Sequence, residues 1–482
     1  MKIEQLQRRN KAINQSLVED YWALYAGGEQ LGRRIDSFIP RNPAEPADVW
    51  ARRKRDWHHI NYSQSILTLF SGMVFEDGLK ISASDGDDIE WATKWAADVG
   101  NGASLQDVVE EQFTKALVKG RAIWVVEPMR LTDAPPADLA AWHAQGLDGF
   151  RLVTYEAEEV VDWQHDESGA LRWILVYRCS RERASVADEP RVRHEWREYT
   201  GAGVTVYSHT LNEEERLDPT TEISGETFRF PLDLGAPPVV VMAPPPHLWF
   251  MNLVYSVQRE LFALSNAKNF QMRRTCYVVP LFKVIDKDNN PPAMDGEGRF
   301  IYCHPDETLE WPTPPTEVLT YIQSDVKTLK DELFRITHQM ASGVENNAAS
   351  VGRSGLSKRA DQDPTNTMLR RYGKMVRDAV EQTLNIAAAI RNVPRIDWAV
   401  SGLDVNADLS AEDLMGILGQ EALFGGLGSV TWSREIRKRV SDTTLPNVRP
   451  NLRTQIYSEI DGAEFPSAVE LGKLNANPPP NG

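Results

Sequence analysis

Residues 316–341 read TEVLTYIQSDVKTLKDELFRITHQMA, and they decide how the rest of the chain is organised. Val318, Ile322, Val326, Leu329, Leu333, Ile336 and Met340 recur every three or four positions, so one apolar stripe runs the length of a long helix. A second such stretch lies upstream at 248–274, with Met251, Val254, Tyr255, Gln258, Leu261, Phe262 and Ser265 marking one side. At about 1.5 Å per residue the two helices span roughly 40 Å and 39 Å, so their lengths match. Between them, residues 275–315 carry β-like pieces at 277–285 and 299–303 around a turn rich in Asn, Pro and Gly. Two matched rods with a small lobe at their tip make a projecting stalk.

Downstream of the pair, SGVENNAASVGRSGLSKRADQDP (342–364) loses all periodicity and is read as a long flexible loop, a feature that is usually functional or disordered inside a compact protein. A third long helix is expected at 365–391, with Met368, Tyr372, Met375, Val376, Ala379, Val380 and Leu384 buried. Short helical segments follow from Pro394, one capped by Ser410 with Asp413 and another around 432–440, and the closing NANPPPNG is expected to be disordered.

Upstream of the pair, residues 16–75 show helical spacing broken by Gly27, Gly28, Pro40 and Pro43. Residues 104–119 read as one helix, because Ser104 with Asp107 suits a capping box and Gly120 suits the stop. Residues 122–126 follow as a buried strand. From 151 to 242 the period changes to two, with candidate strands at 151–163, 171–179, 191–199, 203–209 and 237–242 and turn signals at 166–169 and 201–203. A largely antiparallel sheet is expected, and Pro244–Pro245–Pro246 ends it.

Composition narrows the function. The 482 residues, 41% hydrophobic and 25% charged, are enough for a large core and more than one domain. Cys179, Cys276 and Cys303 lie far apart with no CxxC spacing, so neither a zinc site nor a disulfide framework is expected, and a reducing compartment fits. The charged start MKIEQLQRRNK does not resemble a signal peptide and no stretch is long and apolar enough to span a bilayer, so a soluble protein made in the cytoplasm is expected. A formal charge of -16 argues against tight nucleic-acid binding, which needs Lys and Arg to neutralise phosphates. The same charge suits a conduit, whose repelling walls let DNA slide.

This order of parts resembles the portal proteins of tailed bacteriophages, over nearly the whole chain. The portions that carry the resemblance are Tyr25-Ala26-Gly27-Gly28-Glu29 leading to Phe38-Ile39-Pro40-Arg41, and the helix, lobe, helix unit of 248–341. The resemblance implies a portal-like α+β fold: an N-terminal and wing domain with an antiparallel sheet (1–247), a first stem helix (248–274), a small β-containing clip (275–315), a second stem helix (316–341), a tunnel loop (342–364), a long wing helix (365–393), and a helical crown with a tail (394–482). It further implies a ring of about twelve copies at one capsid vertex of a virion, assembled in the host cytoplasm. Double-stranded DNA would pass transiently and without sequence specificity through the centre during packaging and ejection. Terminase, then head-completion or adaptor and tail proteins, would dock on the clip, and the major capsid or scaffolding protein would surround the ring.

Under that resemblance Arg353, Ser354, Lys358 and Arg359 are the tunnel-loop candidates for DNA contact, and Lys327, Lys330 and Arg335 are candidates for the channel face of the second stem helix. Lys283, Asp286, Lys287, Asp288 and Arg299 are the candidates for partner docking on the clip. The plainer reading of all these charges is loop solubility and surface ion pairing. Repetition around an axis changes the weighting, since a single basic residue becomes a circle of them on an acidic body of roughly -190 for a dozen copies. No enzymatic role and no cofactor or metal is expected: the phosphate-loop pattern GxxxxGK[ST] does not occur, and the nearest string, 352–358, has the wrong spacing. His58 and His59 are neighbours pointing about 100° apart on a helix with no third ligand near in sequence, which favours a structural role. The alternative from another class is an acidic hydrolase with a helical appendage, suggested by 14 tryptophans and acid pairs such as Asp166 and Glu167.

Overall fold

The computed structural model describes residues 1–11, 14–83, 89–100, 102–130, 149–183, 185, 189–276, 281–283, 301–303, 316–337, 355–394, 396–403, 434, 436–438, 440–441 and 450–462. It divides into two units, Met1–Val405 and Asn406–Gly482.

The larger unit is α+β. Its helices in chain order are α1 (Ile3–Leu6), α2 (Gln15–Ala26), α3 (Gly28–Arg33), α4 (Ile35–Phe38), α5 (Ala47–Arg55), α6 (Tyr62–Val74), α7 (Glu90–Ala97), α8 (Leu105–Lys119), α9 (Phe250–Cys276), α10 (Thr316–Ile336) and α11 (Gly355–Ile390). Its strands are β1 (Lys80–Ala83), β2 (Ala122–Pro128), β3 (Phe150–Tyr155), β4 (Val160–His165), β5 (Leu171–Glu182), β6 (Arg191–Tyr199), β7 (Gly203–Asn212), β8 (Gly225–Arg229), β9 (Val239–Met242), β10 (Leu281–Lys283), β11 (Ile301–Cys303) and β12 (Trp398–Ser401). The smaller unit contains α12 (Pro450–Gly462), where Lys438 pairs with Asp461 at 2.8 Å.

Local chemistry sets several of these boundaries as the sequence leads one to expect. The backbone N–H of Ser104 donates to the Asp107 carboxylate at 2.9 Å and the Asp107 N–H donates to Ser104 Oγ at 3.1 Å, so the box opens α8. Gly120 closes it at φ +82, where a Cβ would also meet the Trp249 ring at 2.7 Å. The chain then enters β2, every residue of which is buried, at the centre of the antiparallel sheet β3-β2-β9.

The stretch 151–163, expected as one strand, is two. Glu156 caps a short 3-10 turn, Ala157–Glu159, its backbone N–H donating to the Glu159 carboxylate at 2.8 Å. The turn sends the chain from the three-stranded sheet into a second antiparallel sheet, β4-β5-β6-β7-β8. Alternation continues along both strands, so the sequence does not show the break.

Two further departures concern the last third of the unit. Helix α11 begins at Gly355, so residues 355–364 are helical and not part of an irregular loop. Leu356, Lys358, Arg359, Ala360 and Gln362 are good helix formers, and Pro364 removes one backbone donor without ending the helix. Residues 398–401, expected within a helical crown, form β12 and pair antiparallel with β1, Lys80 opposite Ser401 and Ala83 opposite Trp398. Trp398 and Val400 are buried while Ala399 and Ser401 are exposed, which is the alternation of a half-buried strand.

The principal core lies where α2, α6, α8, α9 and α11 meet. At its centre Tyr372 of α11 stands against Phe113 of α8 (5.6 Å between ring centroids) and Phe70 of α6 (6.2 Å), and Phe70 in turn meets Phe250 of α9 at 6.0 Å. The buried Tyr372 hydroxyl donates to the Leu248 carbonyl at 2.9 Å. The base of α9 is thereby fixed by three helices.

Candidate functional site: a projecting helical pair

Helices α9 and α10 pack against each other and run antiparallel, and burial changes along them. In α9, Met251, Val254, Gln258, Leu261 and Phe262 are buried in the body. Gln258 makes two bonds there, donating to the Ile60 carbonyl at 2.8 Å and accepting from Ser63 Oγ at 3.2 Å. One turn past Phe262, Asn266 accepts from the His58 N–H at 2.7 Å and donates to the His58 carbonyl at 3.1 Å. Beyond Asn266 the described side chains of α9 are half-buried or exposed.

Helix α10 shows the same gradient in reverse. Its side chains from Thr320 to Glu332 are half-buried or exposed, and Tyr321 stands 71% open to solvent. Only on returning to the body does it bury Leu333, beside the Phe334 ring that packs edge-on against Tyr62 at 6.2 Å. Ile322, Val326 and Leu329, the middle of the apolar stripe, are therefore only half covered within one chain. At about 1.5 Å per residue, the ten residues of α9 beyond Asn266 reach roughly 15 Å past its last described tie to His58.

The candidate residues fall into three groups. Lys327 and Arg335 are exposed on α10, and Lys330 is half-buried with Nζ 5.8 Å from the Phe334 ring centroid. Arg335 is not a free cation, because it donates to Glu332 at 2.8 Å and holds that carboxyl below its ordinary range. Lys283 lies on β10, which pairs in parallel with β11, and Lys358 and Arg359 lie in the first turns of α11. Asp286, Lys287, Asp288, Arg299, Arg353 and Ser354 lie outside the described residues.

Chemistry of other kinds finds little support among the described residues. His59 Nε2 lies 2.9 Å from the Leu24 carbonyl, and burial pushes its pKa down; no group of three His, Cys, Asp or Glu could hold a metal there. Asp166 accepts from the Ser168 N–H and hydroxyl and from the Ala170 N–H at 2.6–2.9 Å, so it organises its own turn. Every described carboxyl whose pKa is displaced is displaced downward: Glu45, Asp107, Glu127, Glu156, Asp166, Asp218 and Glu332. A general acid needs the opposite.

One site escaped the sequence reading. A cavity of about 710 Å³ opens over the charged end of the five-stranded sheet, and Arg130, Arg151, Arg178, Arg193 and Arg197 converge on it. The signal was present in RVRHEWR (191–197), where Arg191, Arg193, Glu195 and Arg197 alternate and so share one face of a strand. Read alone, that alternation is indistinguishable from a solvated face.

No helix among the described residues is long and apolar enough to cross a membrane. No protein-family profile and no curated protein matches the chain. Among solved structures it is similar to a chain described as the neck of an empty GTA particle computed with C6 symmetry, with 11% sequence identity, 85% of this chain and 98% of that chain covered, and a TM-score of 0.39. A likeness so distant carries no argument about what this chain does.

Proposed function

We propose that the chain is a portal subunit, about twelve copies of which form a ring at one capsid vertex. The channel of the ring passes double-stranded DNA during packaging and ejection, and the lobe between α9 and α10 docks terminase, then head-completion, adaptor and tail proteins. The ring sits in the virion, held by the major capsid or scaffolding protein, and assembles in the host cytoplasm. The chain has no catalytic role.

The observation that carries this reading is the burial gradient along α9 and α10. Both helices are anchored in the body at one end and advance from it with an apolar stripe that a single chain covers by half. Exposed apolar area of that kind is stabilised by contact with another surface, at about 25 cal/mol per Å² removed from water. A second copy of the same pair supplies such a surface, and a heterologous contact repeated around an axis closes into a ring lined by helices. Lys327, and Lys358 and Arg359 at the start of α11, then recur as circles of cations on a body of charge -16 per chain, enough for transient contact with phosphate without strong retention. The downward displacement of the carboxyl groups weighs against the hydrolase alternative.

Mass measurement followed by negative-stain imaging tests the proposal. The expected result is a ring of about twelve copies with a central hole of roughly 20 Å or more, wide enough for duplex DNA. A stable monomer at high concentration, or a particle with a solid centre, overturns it.

A further inference from the structure

The arginine-lined cavity is built with more donors than acceptors. Glu127, 1% exposed, accepts from Arg130 at 2.8 Å and from Arg151 at 2.7 Å, with Arg197 Nη1 at 3.9 Å. Glu195 is likewise shared, pairing with Arg193 at 3.0 Å and with Arg197. Arg178 is held by Glu159 at 3.0 Å and the Thr154 carbonyl at 2.7 Å. Each of these carboxylates thus fixes guanidinium groups, each of which carries five N–H donors. Arg193 Nε is buried and has no hydrogen-bond partner among the described residues.

We infer that this cavity receives carboxylate side chains from the neighbouring copy of the chain, making the five-stranded sheet a second subunit interface beside the helical pair. The inference rests on the ring reading. Charge complementarity selects the occupant: the chain carries 69 acidic against 53 basic residues, so the surface that a neighbour offers is rich in carboxylates, and five converging arginines are a local exception on it. The cavity walls also contain Glu182, Glu195 and Glu226, which would repel a densely charged phosphate compound. A protein surface bearing both signs meets such a wall with paired charges. The cavity reaches the edge of the sheet, since Glu226 and Phe228 belong to the outermost strand β8, where an adjoining subunit has access.

Two exposed serines on the cavity wall, Ser208 and Ser224, permit a test that leaves every arginine in place. Ring formation would be followed by sedimentation over a concentration series for wild type, Ser208→Glu, the Ser208→Glu/Ser224→Glu double variant and Ser208→Gln, each checked for its thermal unfolding midpoint. We expect Ser208→Glu to need about tenfold more protein to assemble, the double variant more still, and Ser208→Gln to follow wild type. Wild-type assembly by the double variant overturns the inference and leaves the ring reading intact, whereas a wild-type protein that never self-associates overturns both. Should the glutamate variants fold poorly, hydrogen exchange on wild type decides: amides of β6 to β8 must gain protection in the ring over the dissociated subunit, and unchanged exchange there overturns the inference.

Discussion

Leu333 and Leu329 are one turn apart on α10 and lie in different surroundings, which separates folding from assembly. Leu333 is 0% exposed where the helix rejoins the body. Leu333→Ala removes three carbons from a packed site and should cost about 2–5 kcal/mol of subunit stability, the range for large-to-small changes in closed cores. Leu329 is half covered in one chain, so Leu329→Asp should cost the separated subunit about 1–2 kcal/mol, mainly the lost half of a leucine transfer energy. In a ring the same carboxylate would be closed under a neighbouring helix, and desolvation adds several kcal/mol to the cost of association. Urea unfolding at a dilution where subunits are apart, with sedimentation of the same samples at high concentration, reads the two effects separately. Leu333→Ala should shift the unfolding midpoint and Leu329→Asp should abolish the ring. A Leu333→Ala subunit within about 0.5 kcal/mol of wild type would refute the described packing of α10. A Leu329→Asp protein that assembles normally would refute the claim that copies cover the stripe.

Glu127→Gln should destabilise the body by about 1–3 kcal/mol, because a buried, shared acceptor for Arg130 and Arg151 is replaced by a neutral one. Burial alone raises the Glu127 pKa, but the two arginines outweigh it and the net displacement is downward. Its contribution is therefore full above the ordinary carboxyl range near pH 4.5 and is lost as pH falls through the lower folded value, so acid titration of the variant by circular dichroism should show a shallower loss than wild type. Gly373→Ala should destabilise by about 1–3 kcal/mol where an exposed helical glycine would gain about 1, since the new Cβ would lie 2.1 Å from the Leu403 carbonyl oxygen; a raised thermal midpoint would contradict the contact. Deleting residues 346–354 should leave ring assembly intact while lowering the yield of DNA-filled particles, and unchanged yield would remove the role given to that segment.

The parts legible in the sequence are those whose signal is local. The stripe on α10, the Ser104 box and the run of buried residues in β2 all lie within a dozen positions and need no partner to be recognised. The pairing of Lys80–Ala83 with Trp398–Ser401 was illegible for the opposite reason: two four-residue strands carry almost no periodic signal, and register is set by the sheet they join. Helix α11 begins ten residues upstream of the boundary that Pro364 suggests, because a helix of 36 residues absorbs the loss of one bond. The arginine cavity draws its members from β3, β5, β6 and the residues after β2, so each was visible only as an ordinary surface charge until the sheets brought them together.

The β1 and β12 pairing also has a consequence in time. A bond such as that from Ser82 Oγ to the Ala399 carbonyl, at 3.1 Å, closes a span of 317 residues. During translation at about 5–20 residues per second, the first strand waits roughly 15–60 s for its mate to leave the ribosome. Through that interval the aromatic faces of α6 and α8 lack Tyr372 for about as long, so unfinished polypeptides carry adhesive surface that finished ones conceal. Only a chain completed past Ser401 can present a closed body to its siblings, so the order of synthesis leaves every unfinished chain open to clustering until that point.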